Sequence, residues 1–206
     1  KRFLYLIINK RGLKNYLSNF ADSQIKILDV GCGNNSAMKI KKIIPNCYYV
    51  GLDIKNYSSL TNNKKYVDKL VLTKPNLFHK AILDIGLKFD IIISSHNLEH
   101  CDNREATLEG IHKALKKGGY LYMSFPCEKS TTFPQRKGTL NYFTDPTHKN
   151  NPPNFNMVIS FLKKNGIKIK YRTSSYRPFL RFIIGFLLEP ISIITGKVFS
   201  STWAFY

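Results

Sequence analysis

The chain has 206 residues, of which 43% are hydrophobic and 22% charged, enough to bury one sizeable core in a single domain and so excluding a disordered tail or a peptide in need of staples. Thirty-two Lys and Arg against thirteen Asp and Glu give a formal net charge of +19, which excludes a cationic macromolecular partner and favours phosphate, carboxylate or an anionic membrane. The four cysteines, Cys32, Cys47, Cys101 and Cys127, form no CxxC pair, so free thiols in a reducing cytoplasm are expected in place of a disulfide framework or a four-thiolate zinc site.

In chain order, the basic opening KRFLYLII runs into NKRGLK with no small-residue cleavage site, so a signal peptide is not expected. Apolar side chains at Leu4, Ile7, Ile8, Leu13, Leu17 and Phe20 follow a helical period and predict a leading amphipathic helix over 3–20. Ile25 to Val30 predicts a strand ending at Gly31, Ala37 to Ile44 a helix stopped by Pro45, and Tyr48 to Ile54 a second strand. A third strand is expected at Lys69 to Thr73 and a short helix at Asn76 to Ile85. Phe89 to Ser95 is a continuous apolar run of the kind buried on both faces of a parallel sheet. Arg104 to Lys117 predicts a helix ended by Gly118 and Gly119, and Tyr120 to Phe125 a fifth strand. The alternation predicts an α/β sandwich on a mostly parallel sheet.

After Pro126 comes a polar loop too long for a plain connector, then a predicted helix at Phe155 to Asn165 closed by Gly166 and a sixth strand at Ile167 to Thr173. Residues 179–199 are the most apolar stretch, but Arg181, Glu189, Pro190 and Lys197 interrupt it, so it falls short of a spanning helix. It reads as a buried helical insertion or, in the sharper reading, as a helix on a membrane surface. The organisation expected is one domain over 1–206: a leading segment to 24, a ligand-binding core over 25–125, a substrate loop over 126–153, and a C-terminal helix, strand and apolar insertion.

Two elements carry chemistry together. LDVGCGNN, Leu28 to Asn35, sits at a strand-to-helix turn, where glycines admit a ligand close to the backbone. Asp53 ends the next strand some twenty residues on, where its carboxylate can accept both hydroxyls of a ribose. The third glycine of a dinucleotide GxGxxG is absent, with Asn35 and Ser36 in the region where it would stand.

Four blocks in order then resemble the class I S-adenosylmethionine-dependent methyltransferases: LDVGCG (Leu28 to Gly33), GLDI (Gly51 to Ile54), FDIIISSHNLEH (Phe89 to His100) and ALKKGGYLYMSFP (Ala114 to Pro126). The resemblance implies a Rossmann-like three-layer α/β fold with a seven-stranded, mostly parallel sheet whose last strand is antiparallel. It implies S-adenosylmethionine as cofactor, with Asp29, Gly31, Cys32 and Gly33 near its methionine portion. It places Asp53 on the ribose, Ile54 against the adenine, and Ser95 and His96 under the sulfonium. The chain departs from the family after the third strand, where Thr73, Lys74 and Pro75 stand in place of an acidic residue, and Asp68 is the substitute if that strand lies elsewhere. FPQRKGTLNY (Phe133 to Tyr142), DPTH (Asp145 to His148), Glu189 with Pro190, and Thr202 to Tyr206 resemble a narrower group associated with cell-surface polysaccharides.

Rival readings of the same residues are plainer. His96, Glu99 and His100 spell HxxEH, the inverted zinc-protease pattern, but they follow a strand where that pattern needs one long helix, so no metal is expected and His100 is assigned to packing and capping. NPPN at Asn151 to Asn154 is similar to an amino-gripping element of adenine methyltransferases, yet lies in the wrong place and reads as the start of a helix. The lysine pairs read as solvated faces before a nucleic-acid groove.

The resulting expectation is O-methylation of a sugar or surface-glycan precursor by a cytoplasmic enzyme, on an anionic small-molecule or glycan acceptor and with peripheral membrane contact through 179–199. His148 is the first candidate general base and His96 the second, with Asp145 orienting His148 or binding acceptor, or simply forming a turn. Glu128, Arg136 and Lys137 are candidate acceptor contacts. An RNA methyltransferase and a non-catalytic partner protein of the same fold are the alternatives.

Overall fold

The computed structural model describes residues 13–56, 65–136, 138–172 and 179–199. The chain divides into two compact units, Lys1–Asn97 with Glu105–Met123, and Leu98–Arg104 with Ser124–Tyr206.

The first unit is a Rossmann-like α/β layer structure. Its strands are β1 (Lys26–Val30), β2 (Tyr48–Asp53), β3 (Lys69–Leu72), β4 (Phe89–Ser95) and β5 (Leu115–Ser124), in the spatial order β3-β2-β1-β4-β5 of a five-stranded all-parallel sheet. Its helices are α1 (Leu13–Leu17), α2 (Ser36–Lys41), α3 (Phe78–Asp84) and α4 (Arg104–Ala114). Ile27 lies opposite Tyr49 on one side and Ile91 on the other, and Asp53 opposite Leu72. Ile27, Leu28, Tyr49, Val50, Ile91, Ile92 and Ile93 are fully buried, because helices cover both faces of such a sheet and strands with no polar face are then stable only inside it. Each such side chain contributes on the order of 2 kcal/mol through removal from water.

On one face, Leu17, Ile40 and Ile44 pack with Ile27, Tyr49, Ile91 and Ile93, and Leu13, Tyr16 and Phe20 close over them. The described part of the expected leading helix is α1 followed by a 3-10 turn at Ser18–Phe20; residues 3–12 of that expectation lie outside the described residues. The sharpest change from the sequence expectation is at β5, which starts at Leu115, well before Tyr120, so α4 stops at Ala114. Lys116 there pairs with Asp90 of β4 at 2.7 Å. A Cβ on Gly119 would stand 3.0 Å from the Asp90 carbonyl, so strand-to-strand proximity overrides the helical preference of the lysines.

The second unit carries the long loop, α5 (Phe155–Lys164), α6 (Phe179–Leu187) and α7 (Glu189–Thr195). Asn154 caps α5 by accepting from the Met157 amide at 2.9 Å, so NPPN is a helix start. The helix ends in paired bonds from Gly166 N–H to the Lys163 carbonyl and from Ile167 N–H to the Leu162 carbonyl. The sixth strand is not formed over 167–172: Ile167 and Ile169 are half-buried and Lys168 and Lys170 exposed, a strand-like alternation that joins no strand among the described residues. Among those residues the sheet therefore has five strands where seven were expected. No helix among them is long and apolar enough to cross a membrane.

Candidate functional site

In the first unit the strand order reverses between β1 and β4, so their carboxyl ends open a crevice. Gly31 follows β1 with φ of +78°, and its N–H donates to the Leu52 carbonyl at 2.8 Å. A Cβ on Gly31 would lie 2.8 Å from the Cβ of Asn97. Gly33, at φ +57°, has open space where its Cβ would be, and its N–H donates to Oδ2 of Asp53 at 2.7 Å. The Ile54 amide donates to Oδ1 of Asp53, also at 2.7 Å. Each carboxylate oxygen has two acceptor sites, so this buried group, which also meets the Cys32 thiol, keeps acceptor capacity beyond the two amides for neighbouring hydroxyls. That fits a ribose, and the exposed Ile54 beside it fits a base.

Asp29 is held by side chains of the fold. It is buried, and its Oδ2 accepts from the hydroxyls of Ser36 and Tyr49, the latter at 2.7 Å. Burial pushes its carboxyl up to about 6, against the pull of those two bonds and with help from the Asp53 charge. Burial, then the charges of Asp29 and Asp53, push the Cys32 thiol far above its usual range, so it serves as packing and not as a nucleophile. Asp68 cannot replace the missing acidic residue after β3. It precedes the strand, at the amino end of the sheet, accepting from the Tyr49 amide at 2.6 Å and pairing with Lys41 at 2.7 Å. At the end of β4, Ser95 is half-buried and His96 is exposed, with φ of +52°, a strained conformation for a non-glycine residue.

The second unit gathers a different group. Glu99 and His100 lie in a 3-10 turn, Leu98–His100, and His148 comes from the loop. His148 stacks on the ring of Tyr142 at 4.3 Å and stands 4.9 Å from the ring of His100. Its Nδ1 lies 2.6 Å from the Tyr142 carbonyl, which can only accept, so Nδ1 carries the proton and Nε2 the lone pair. Asp145 is 3.8 Å from Nε2, too far for a hydrogen bond. Its Oδ1 accepts from the amide of Thr147 at 2.8 Å and from the hydroxyl at 2.6 Å, so Asp145 forms the turn and the Tyr142 carbonyl orients His148. Burial raises the Asp145 carboxyl, but the bonds from Thr147 and the nearby imidazoles outweigh it and hold the group below the usual carboxylate range.

Arg104 fastens this cluster. Its guanidinium donates to the carbonyls of Leu98 at 3.2 Å, Asn151 at 2.7 Å and Lys149, and to the Tyr142 hydroxyl at 3.1 Å. The Lys149 amide donates in turn to the Glu99 carbonyl at 2.8 Å. Sequence reasoning missed Arg104 and gave His100, Glu99 and Tyr142 no chemical role; nothing in the spacing shows that one guanidinium will gather carbonyls from a loop 45 residues away.

The proposed acceptor contacts fare differently. Arg136 grips Glu189 with two nitrogens on two oxygens, the longer bond being 2.7 Å, and so serves the fold of the second unit. Glu128 is exposed at the start of a 3-10 turn, Glu128–Thr132, and Lys137 lies outside the described residues.

Residues 21–156 match a family described as a methyltransferase domain. No curated protein sequence matches the chain. Among solved structures, it is similar to a SAM dependent methyltransferase from Archaeoglobus fulgidus, at a TM-score of 0.53 and 16% identity over 91% of this chain and 92% of that one. A protein from Bacillus halodurans C-125 has a TM-score of 0.55 at 14% identity over 80% and 73% of the two chains. The YcgJ protein from Bacillus subtilis has 0.51 at 15% identity over the same shares. At these identities the likeness is one of fold.

Proposed function

Because the chain belongs to the methyltransferase-domain family, we propose that it transfers the methyl group of S-adenosylmethionine to a hydroxyl of a sugar or surface-glycan precursor. The observation that carries the donor side is the Gly33–Asp53 hydrogen bond, which presents a buried carboxylate with acceptor capacity for two ribose hydroxyls beside a glycine turn. When bound, the cofactor supplies an electrophilic methyl carbon on a sulfonium. Gly31 and Gly33 let the backbone approach it, Ile54 covers the base, and Ser95 with His96 lie at the strand end that faces the reacting centre.

Methyl transfer demands alignment first and removal of one proton second. His148 suits the second demand, since its Nδ1–H is held by Tyr142 and its Nε2 is left to take the acceptor's proton. The sugar reading is supported by the likeness of FPQRKGTLNY and DPTH to a polysaccharide-associated group, and a charge of +19 suits an acceptor bearing phosphate or carboxylate. Exposed Leu180, Phe186, Leu187, Ile193 and Ile194 on α6 and α7 support peripheral contact with an anionic membrane. Co-sedimentation with anionic and neutral vesicles tests that part, and equal or absent binding to both ends it.

The main test is calorimetric titration with S-adenosylmethionine, S-adenosylhomocysteine and NAD, followed by methyl-label transfer to sugar phosphates, glycan extracts and RNA. Selective binding of the sulfur nucleotides and label in a carbohydrate acceptor are expected. Label in RNA alone would move the acceptor class, and no binding of the sulfur nucleotides would end the reading.

A further inference from the structure

Glu99, His100 and His148 each place one ligating atom within 4.8 Å of the other two. We propose that these three side chains form a site for a divalent transition-metal cation such as zinc or manganese. Two imidazoles and a carboxylate are the donor set such ions take, whereas calcium and magnesium prefer oxygen alone.

The two imidazoles are held as ligands need to be. His148 donates from Nδ1 to the Tyr142 carbonyl. His100 Nδ1 lies 3.0 Å from the Thr147 hydroxyl and 3.3 Å from the Thr147 carbonyl. That hydroxyl spends its own proton on Asp145, so both atoms facing His100 Nδ1 are acceptors, and this ring too carries its proton on Nδ1. Both rings therefore keep Nε2 as the lone-pair atom, each fixed by an oxygen behind it, the arrangement that orients histidine ligands around metals. Glu99 is buried at 1% exposure, and a carboxylate removed from water beside two imidazoles favours a positive charge at that spot.

The ligand-bearing segments are already tied. The Glu99 carbonyl receives the Lys149 amide, and Arg104 binds carbonyls from both segments. Ligand atoms about 2.1 Å from one tetrahedral ion stand roughly 3.4 Å apart, so atoms that lie within 4.8 Å of one another have to close by up to about 1.4 Å. The site is not the zinc-protease pattern of HxxEH: His96, which follows β4, is not one of the three, and the third ligand is His148 of the DPTH element.

Three protein ligands leave a position open for an oxygen of the acceptor. This consequence, unlike ion binding itself, rests on the methyltransferase reading. With an ion in place, His148 Nε2 is a ligand and no longer the base.

The test is calorimetry and elemental analysis of the full chain with zinc, manganese and magnesium chlorides, on the unaltered protein, His100→Gln and His148→Gln, with S-adenosylhomocysteine titrated in parallel. One zinc or manganese ion per chain is expected, weakened at least tenfold in each variant, while nucleotide affinity stays within twofold. Ion binding unchanged in both variants, or none at all, overturns the site. Should a variant fail to fold, cobalt(II) absorption of the unaltered protein decides: histidine-type visible bands support the site, and thiolate charge-transfer bands or no bands overturn it. Full methyl transfer after chelation with no ion bound overturns the ion's part in holding the acceptor and leaves His148 as the base. Loss of nucleotide binding in the unaltered protein, with ion binding intact, sinks the methyltransferase reading alone.

Discussion

The amide of Gly33 and Oδ2 of Asp53 are joined across 2.7 Å, so the turn after β1 and the end of β2 form one hydrogen-bonded unit. Asp53→Ala removes the carboxylate from both the turn and the ribose. A hydrogen bond to a charged group is worth about 1.5–3 kcal/mol, so affinity for S-adenosylhomocysteine should fall by roughly tenfold to a hundredfold in calorimetry. Asp53→Asn, which keeps one acceptor oxygen, should fall less. Equal affinity in all three proteins would remove Asp53 from the site.

Gly31 and Gly33 both have positive φ but differ in what surrounds them. Gly33→Ala meets open space and should cost only the backbone strain, about 1 kcal/mol. Gly31→Ala adds a carbon 2.8 Å from the Asn97 Cβ, so it should cost about 2–4 kcal/mol in urea unfolding. A smaller loss at Gly31 than at Gly33 would contradict the packing of β1 against the end of β4.

Asp29 makes stability depend on pH. Its carboxyl is raised from 3.8 to about 6 in the folded protein, so the folded state holds its proton more tightly than the unfolded chain. The stability this brings is full below about pH 4 and is lost as pH rises through 6, a change of about 3 kcal/mol. Urea unfolding of the unaltered protein and Asp29→Asn at pH 4 and pH 7 should show the unaltered protein losing ground relative to the variant as pH rises. A pH-independent difference would refute the shift.

Arg136 and Glu189 test whether the loop is tied to α7. Their side chains are 25% and 20% exposed, so the pair is shielded but not sealed. A double-mutant cycle of Arg136→Ala and Glu189→Ala should give a coupling of about 1–2 kcal/mol in unfolding free energy. Retention of substrate affinity in Glu189→Ala with loss in Arg136→Ala would instead return Arg136 to acceptor binding.

The donor half of the site was largely legible because its signals are local. Strand, glycine turn and carboxylate follow one another at spacings set by the βαβ unit, and the bond from the Gly33 amide to Asp53 is a detail the structure adds. The Asp29 network was not legible, since the partner Tyr49 looked like one more apolar residue of a buried strand. In the second unit, His100 read as a helix-entry residue and His148 as a candidate base on a loop, with nothing to show that the two would meet. Their meeting depends on Arg104, which reaches Lys149 across 45 residues, and on the contact of His100 with Thr147 across 47, separations that no periodicity encodes. The start of β5 was missed in the same way, while β1 to β4 lie where the apolar runs put them: Lys116 and Lys117 read as helix formers until the neighbouring Asp90 claimed Lys116.

Of the four groups that Arg104 binds, three are main-chain carbonyls, at Leu98, Lys149 and Asn151. A tether to main-chain atoms does not read the side chains it holds. Side chains between Tyr142 and Asn151 that have no contact of their own can therefore be exchanged over generations while the loop keeps its anchorage.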